Sequence, residues 1–367
     1  MSQRTNADLR VPRGNDLTAQ RVLAVRDSWP LFADELPVAS SGLCCMLALI
    51  KEIYSFTSDF WNYDDEANQR REQQNAFLAL AWENLSSTEP GAMTDVVNRI
   101  WGSEISRMSP LDLTFKSIVS TPMMCETLWS NGWFRPFATP HWRNNPIGAS
   151  GDIQPWHKVD EDAPKVVRDF VEEKCPATPE TFRFDATPEL DLSAAVEARF
   201  GCWRIGDLQI LIPKSGSFFF FATFDVKSIT RDRVLNFEQI RSFTFRVPAF
   251  AAKDDLPARH ARTECYNLAA IVFQRQQPTD VDSIRVYEAT GMPRATVGFE
   301  NVYAWPSVCV SQLHNGESFF ALYAVSMTGP IETDPSYPED ARDLKPAAAL
   351  YNFEHAKMTL AEAFGAP

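Results

Sequence analysis

The order of hydrophobic patterns along the chain predicts an α+β fold, a helical lobe packed on an antiparallel β-sheet lobe. Three observations carry that expectation. In the first third, apolar residues recur at three- and four-residue steps, the period of a helix face. From about residue 203 the texture changes to short runs rich in β-branched and aromatic residues. Near the end, Asn315-Gly316 separates two apolar runs, the strongest short-range sign of a hairpin.

Taken in order, residues 1 to about 20 are polar and read as a flexible arm. Leu43, Met46, Leu47, Ile50, Ile53 and Tyr54 line one helical face, which Ser40 or Ser41 can cap. A second helix is expected from Asp65 to Leu85, with Phe77, Leu80 and Leu85 turned toward the first. A third, short helix is expected at 92–101. Residues 135–165 carry several Pro, Asn and Gly and read as loop. Residues 163–174 read as helix, Phe182–Phe184 as strand and Leu192–Phe200 as a short helix. Strands are expected at Leu208–Ile212, Ser217–Phe224, Ser242–Val247 and Leu268–Gln274. The last two, Val308–Leu313 and Ser318–Val325, should pair as a hairpin around His314-Asn315-Gly316-Glu317.

Composition narrows the function classes. The 367 residues are 45% hydrophobic and 23% charged, near the averages for globular chains, which excludes a mainly disordered protein. No apolar run approaches the roughly 18 residues that span a bilayer, and the N-terminus lacks an apolar signal core. The expectation is therefore an intracellular protein, cytoplasmic or nuclear, without a membrane partner. Net charge is −13 and no basic stripe is present, so nucleic acid is not an expected partner. Seven scattered cysteines with no CxxC pair form neither a disulfide framework nor a zinc motif; no metal and no cofactor is expected.

One cysteine stands where chemistry is conceivable. Cys44 and Cys45 open a helix after the turn-like Ala39-Ser40-Ser41-Gly42. Unpaired N–H groups and the positive end of the helix dipole favour thiolate there. The commoner role of a cysteine in an apolar helix is inert packing.

From these residues outward the sequence resembles the ubiquitin-specific proteases, a papain-like family. Their cysteine box, G-N-T-C-(Y/F)-M-N-(S/A), is similar to Ser41-Gly42-Leu43-Cys44-Cys45-Met46-Leu47-Ala48; a shift by one makes Cys45 the nucleophile. Their next helix, Q-Q-D-A-(H/Q)-E-F-L followed by apolar residues, an acid and a Leu, is similar to Gln73–Leu85, especially from Phe77 onward. Leu113-Thr114-Phe115 through Met124-Cys125 takes the place of the strand before their zinc-finger cysteines. Leu268–Arg275 is similar to a later strand. Their G-H-Y-x-A-Y-V strand resembles Ser318–Tyr323, and their closing W-Y-x-F-(D/N)-D-x-x-V resembles Leu350–Met358. The resemblance runs from about residue 37 to 362. It implies a papain-like fold in a single domain over 21–367, with a helical lobe at 21–105. The β-rich lobe would cover 106–367, with inserted loops at about 135–165 and 328–346.

Carried over residue by residue, the resemblance puts Cys44 at the nucleophile, Phe319 at the base histidine and Glu354 at the orienting acid. Gly42 falls at the oxyanion-stabilising Asn. Phenylalanine cannot accept a proton, and glycine offers no side-chain donor. The implied function is a ubiquitin-specific-protease-like domain that has lost catalysis. It would bind ubiquitin, a ubiquitin-like protein or another protein as a scaffold. One alternative is an active thiol-dependent deubiquitinase in which His314 or His355 serves as base. The other is an unrelated α+β protein-interaction module. The arrangement of Cys44, Phe319, His314 and Glu354 in space discriminates among them.

Overall fold

A computed structural model describes residues 41–57, 66–83, 98–100, 113–144, 155–175, 182–248, 261–275, 277, 281–287, 310 and 313–326. The architecture is α+β. The first helix, α1 (Ser41–Thr57), is the centre of one hydrophobic core, and residues 41–55 are all buried. That differs from the amphipathic helix expected. Lys51 and Glu52 face inward with the leucines instead of marking a wet side.

The second expected helix is broken into α2 (Glu66–Gln74) and α3 (Ala76–Leu80). The break has a cause in Asn75. Its side chain accepts from the Phe77 N–H at 3.0 Å, capping α3, and its amide donates to Thr127 Oγ1 at 2.8 Å. Phe77 and Leu80 are buried against α1 as expected, whereas Leu85 lies outside the described residues. Lys51 Nζ donates to the carbonyls of Ala81 and Glu83, at 2.8 and 2.7 Å, and the Tyr54 ring stacks on Trp82 at 4.3 Å. Residues 98–100 are helical, within the expected third helix.

The stretch 113–125, where the resemblance placed a strand, is helical from Phe115 onward, and the helical turns continue to Phe134. They are α4 (Phe115–Val119), α5 (Pro122–Met124), a π turn at Cys125–Trp129 and a 3₁₀ turn at Gly132–Phe134. Thr114, Thr121 and Asn131 cap the successive turns with their side chains. Local capping decides this segment, which carries no sustained hydrophobic period.

Two sheets follow. The smaller has four strands in the order β2-β1-β5-β4, built from β1 (His141–Asn144), β2 (His157–Lys158), β4 (Gly201–Ile205) and β5 (Leu208–Ile212). β5 occupies the residues expected. β1 and β2 fall in the region read as loop, and β4 has no counterpart among the expected strands. The larger sheet runs β3-β6-β10-β8-β7, with β9 also on β8. Its strands are β3 (Arg183–Ala186), β6 (Phe219–Val226), β7 (Ser242–Pro248), β8 (Ala261–Phe273), β9 (Ser283–Val286) and β10 (Ser318–Ser326). β3 is parallel to β6 and the other pairings are antiparallel. Helices α6 (Lys165–Lys174), α7 (Leu192–Glu197) and α8 (Glu238–Arg241) connect these strands. The outer edge of β7 is capped by α7: Ser193 Oγ and Glu197 Oε1 accept from the Thr244 and Arg246 N–H groups.

The larger sheet is buried on both faces. One face (Phe219, Phe221, Val272, Ile284, Phe320, Leu322) packs under α1, α3 and α4. The other (Phe220, Phe224, Ile271, Phe273, Phe319, Tyr323) packs against α6, α7 and the smaller sheet. Double-sided burial explains strands that are apolar at nearly every position.

The expected hairpin at 308–325 is corrected. β10 pairs with β6 and β8, not with the segment before it; Val310 lies in a 3₁₀ turn and Leu313 is not in a strand. Asn315-Gly316 does form a turn, but only Gly316 has positive φ, at 91°. Asn315 instead grips the backbone of Ile229 through both side-chain atoms, at 2.8 and 3.0 Å. The turn is thereby tied to the end of β6.

Candidate functional site

Cys44 and Cys45 occupy the first turn of α1, as the sequence suggests, but that turn is closed. Each cysteine is 1% exposed. Above the helix start lies the 113–115 segment, and contact with it explains Gly42. A Cβ at position 42 would stand 2.4 Å from the Leu113 carbonyl oxygen and 2.4 Å from the Phe115 nitrogen. Glycine is required there by backbone approach. At position 42, where the resemblance would put an oxyanion-stabilising Asn, the backbone leaves no room for a side chain.

Asp282 closes the same corner. Its carboxylate accepts from the Phe115 N–H and the Arg275 N–H, both at 3.0 Å, and its own N–H donates to Ser41 Oγ at 3.0 Å. Three chain segments thus meet on one buried acid: the start of α1, the start of α4 and the exit from β8. Burial raises the Asp282 carboxyl above its ordinary range, while the two backbone donors and the Arg275 charge pull it back. Sequence reasoning missed Asp282, because it stands between unremarkable residues far from the cysteine box.

Electrostatics at the thiols run opposite to activation. Burial pushes the Cys44 thiol up to about 12. Cys45 is raised well above its ordinary value by burial first, then by the Asp282 carboxylate and by Cys44. A helix start lowers a thiol pKa when the thiol is wet enough to ionise; here desolvation wins.

The structure does not bring Cys44 and Phe319 together. Cys44 belongs to the core under α1, whereas Phe319 points through the opposite face of the sheet, stacked on Phe224 at 4.9 Å. On β10 the residues on Cys44's side are Phe320, Leu322 and Ala324. His314 is exposed in the turn before β10, its N–H donating to Glu317 Oε2 at 2.6 Å. His141 and His157 sit on the smaller sheet. None of these three histidines lies in the core that holds Cys44. Glu354, His355 and His260 lie outside the described residues. Among the described residues no three His, Cys, Asp or Glu side chains are grouped as a metal site requires, and no helix is long and apolar enough to cross a membrane.

No family model matches the chain, and no curated protein matches it. Solved structures do. The SAGA DUB module of Ubp8, Sgf11, Sus1 and Sgf73 bound to monoubiquitin matches at 8% identity and a TM-score of 0.36, over 82% of this chain and 70% of that one. The Saccharomyces cerevisiae Pan2 pseudoubiquitin hydrolase-RNA exonuclease module in complex with AAGGAA RNA matches at 8% identity and a TM-score of 0.26, over 86% and 52%. The Saccharomyces cerevisiae PAN2 pseudoubiquitin-hydrolase-RNase module matches at 9% identity and a TM-score of 0.26, over 87% and 51%. These neighbours are ubiquitin-hydrolase modules. The chain spans about half the length of the Pan2 chains it matches.

Proposed function

We propose that this chain is a ubiquitin-hydrolase-like domain that does not hydrolyse, and that it binds a protein partner as a scaffold. Ubiquitin or a ubiquitin-like protein is the first candidate for that partner. The family half of this reading rests on the cysteine box at 41–48 and on the boxes at 73–85, 268–275 and 318–323, which follow it in the family's order. The non-catalytic half rests on one observation, the sealed Cys44 thiol. A thiol held near pKa 12 is almost wholly protonated at neutral pH, and no described histidine shares its core to take the proton.

A ubiquitin vinyl-sulfone probe with intact-mass detection tests the non-catalytic half. The folded chain should gain no mass, while the same chain unfolded in urea should be alkylated by a small thiol reagent. Labelling of the folded chain that disappears in Cys44→Ala would overturn it. Calorimetric titration with monoubiquitin tests the partner.

A second reading, an α+β interaction module unrelated to the hydrolases, is favoured by the position of Phe319 on the far face of the sheet. Under that reading monoubiquitin gives no heat of binding, and the probe stays unreacted as well.

A further inference from the structure

We infer that Arg241 is the receptor of a second site, one that takes a carboxylate group side-on. Arg241 ends α8 and is 2% exposed. One edge of its guanidinium is used: Nη1 donates to Glu238 Oε1 at 3.0 Å. The Nε and Nη2 atoms are buried and have no hydrogen-bond partner among the described residues. These two atoms form the edge of the guanidinium fork that matches the two oxygens of a carboxylate. Leaving such an edge dry and unpaired is costly, so its burial points to a group that completes it.

The position in the sheet supplies the setting. β10 takes one edge of β8, and both β7 and β9 pair with the other. β7 begins at Ser242, opposite Asn267; β9 ends at Val286, opposite Ala270, and the Tyr287 N–H donates to the Ala269 carbonyl at 2.8 Å. The two strands therefore abut around Leu268, and Arg241 enters at that seam. The stacked rings of Phe237 and Tyr287, 5.3 Å apart, stand at the same place. Glu238, whose side chain is 40% exposed, marks the solvent side.

A monoanion fits this site better than a phosphate. Glu238 already neutralises part of the guanidinium charge, and the chain carries a net −13, so a dianion meets more repulsion than a carboxylate. The carboxylate can come from a peptide's C-terminus or from an acidic side chain. This site is independent of the cysteine corner and of whether ubiquitin binds.

The test uses the full chain labelled with ¹³C and ¹⁵N, with the Arg241 Nε–H resonance assigned in the wild type by through-bond correlation to its own backbone. Acetyl-glycylglycine with a free terminal carboxylate supplies one carboxylate source. Acetyl-aspartate N-methylamide supplies the other. The amide of the first peptide and inorganic phosphate serve as comparisons. At least one carboxylate should shift the Nε–H resonance saturably, and the amide should not; the tighter carboxylate names the source. In Arg241→Lys, which keeps charge but loses the fork, that carboxylate's Kd should rise about tenfold. The wild-type titration decides even if the variant does not fold. No shift with either carboxylate, an equal shift with the amide, tighter binding of phosphate, or an unchanged Kd in the variant would each overturn the inference. So would a resonance already shifted in the free protein and insensitive to ligand, since the chain would then fill its own site.

Discussion

Gly42→Ala puts the structure to its sharpest test, because two principles predict opposite signs. On propensity alone, alanine in place of a helical glycine stabilises by up to about 1 kcal/mol. The packing says otherwise. The new Cβ would lie 2.4 Å from both the Leu113 oxygen and the Phe115 nitrogen and 2.6 Å from the Thr114 carbonyl carbon, whereas real Cβ atoms essentially never come under 3.0 Å. All three atoms are backbone, so no side chain can rotate aside. Either α1 or the 113–115 segment must retreat by about 0.6 Å. Overpacking of this kind costs about 1–3 kcal/mol. A retreat of that segment also stretches the Phe115–Asp282 bond, now 3.0 Å, and a hydrogen bond to a charged group contributes about 1.5–3 kcal/mol. With the helix gain set against these losses, the net should be about 2–4 kcal/mol of destabilisation.

Urea unfolding followed by tryptophan fluorescence measures it, with Gly132→Ala as the control. A methyl group at position 132 would have nothing within 4 Å, and Gly132 has no positive φ, so its substitution should stay within about 0.5 kcal/mol of wild type. A Gly42→Ala chain as stable as wild type would refute the close approach. It would also reopen position 42 to the asparagine that a thiol hydrolase would place there.

Three further outcomes follow from buried polar groups and one turn. Burial lowers Lys51 from 10.5 to about 7, so below pH 7 the folded chain must hold a costly charge. Between about 7 and 10.5 the unfolded chain binds more protons, and stability should rise with pH. The slope is at most about 1.4 kcal/mol per pH unit. Above about 9 the Cys44 and Cys175 thiols, each raised to about 12, reverse the trend, because the unfolded chain ionises first. Denaturation midpoints in wild type and Lys51→Met from pH 7 to 9 check this; an equal rise in both would exclude Lys51 as its source. Asn75→Ala removes the cap of α3 and the bond to Thr127, and should cost about 2–3 kcal/mol in the same assay; a cost below about 0.5 kcal/mol would show that the break between α2 and α3 has another cause. Gly316→Ala meets open space but a φ of 91°, so it should cost about 1–2 kcal/mol, and a neutral result would mean the turn relaxes.

How much of the fold is legible in the sequence depends on where each element's stability comes from. β5, β6, β7 and the helix at 165–174 carry enough apolar or β-branched residues to declare themselves, and they stand close to the expected positions. β1 and β2 are short and polar, with His141, Arg143 and Asn144 among their residues. β1 exists because β5 offers an edge, and β2 because β1 in turn offers its own, which no local pattern reveals. The turns of 115–134 depend on Thr114, Thr121 and Asn131 as caps, too closely spaced for a helical period to emerge. Asn315-Gly316 marks a turn correctly. The expected partner strand is wrong, because an Asn side chain anchored to Ile229 serves a loop between sheet strands as well as a hairpin.

The candidate site fails to read through for a more specific reason. Ser318-Phe319-Phe320-Ala321-Leu322-Tyr323 is apolar on both alternations, because the sheet is covered on both faces. In such a strand the pattern that would say which residue faces the helix is erased, and a one-residue difference sends a side chain to the opposite core. Phe319 and Phe320 are indistinguishable in sequence, yet only Phe320 shares a core with Cys44. α1 presents the same difficulty in helical form. Lys51 and Glu52 interrupt its apolar run as a wet face would, but Lys51 is buried with its ammonium on two carbonyls, so polarity does not mark exposure. A cysteine at a helix start is reactive only when that start is open. Here the start is closed: Gly42 and Asp282 let the 113–115 backbone lie directly on the helix end, and both thiols are buried.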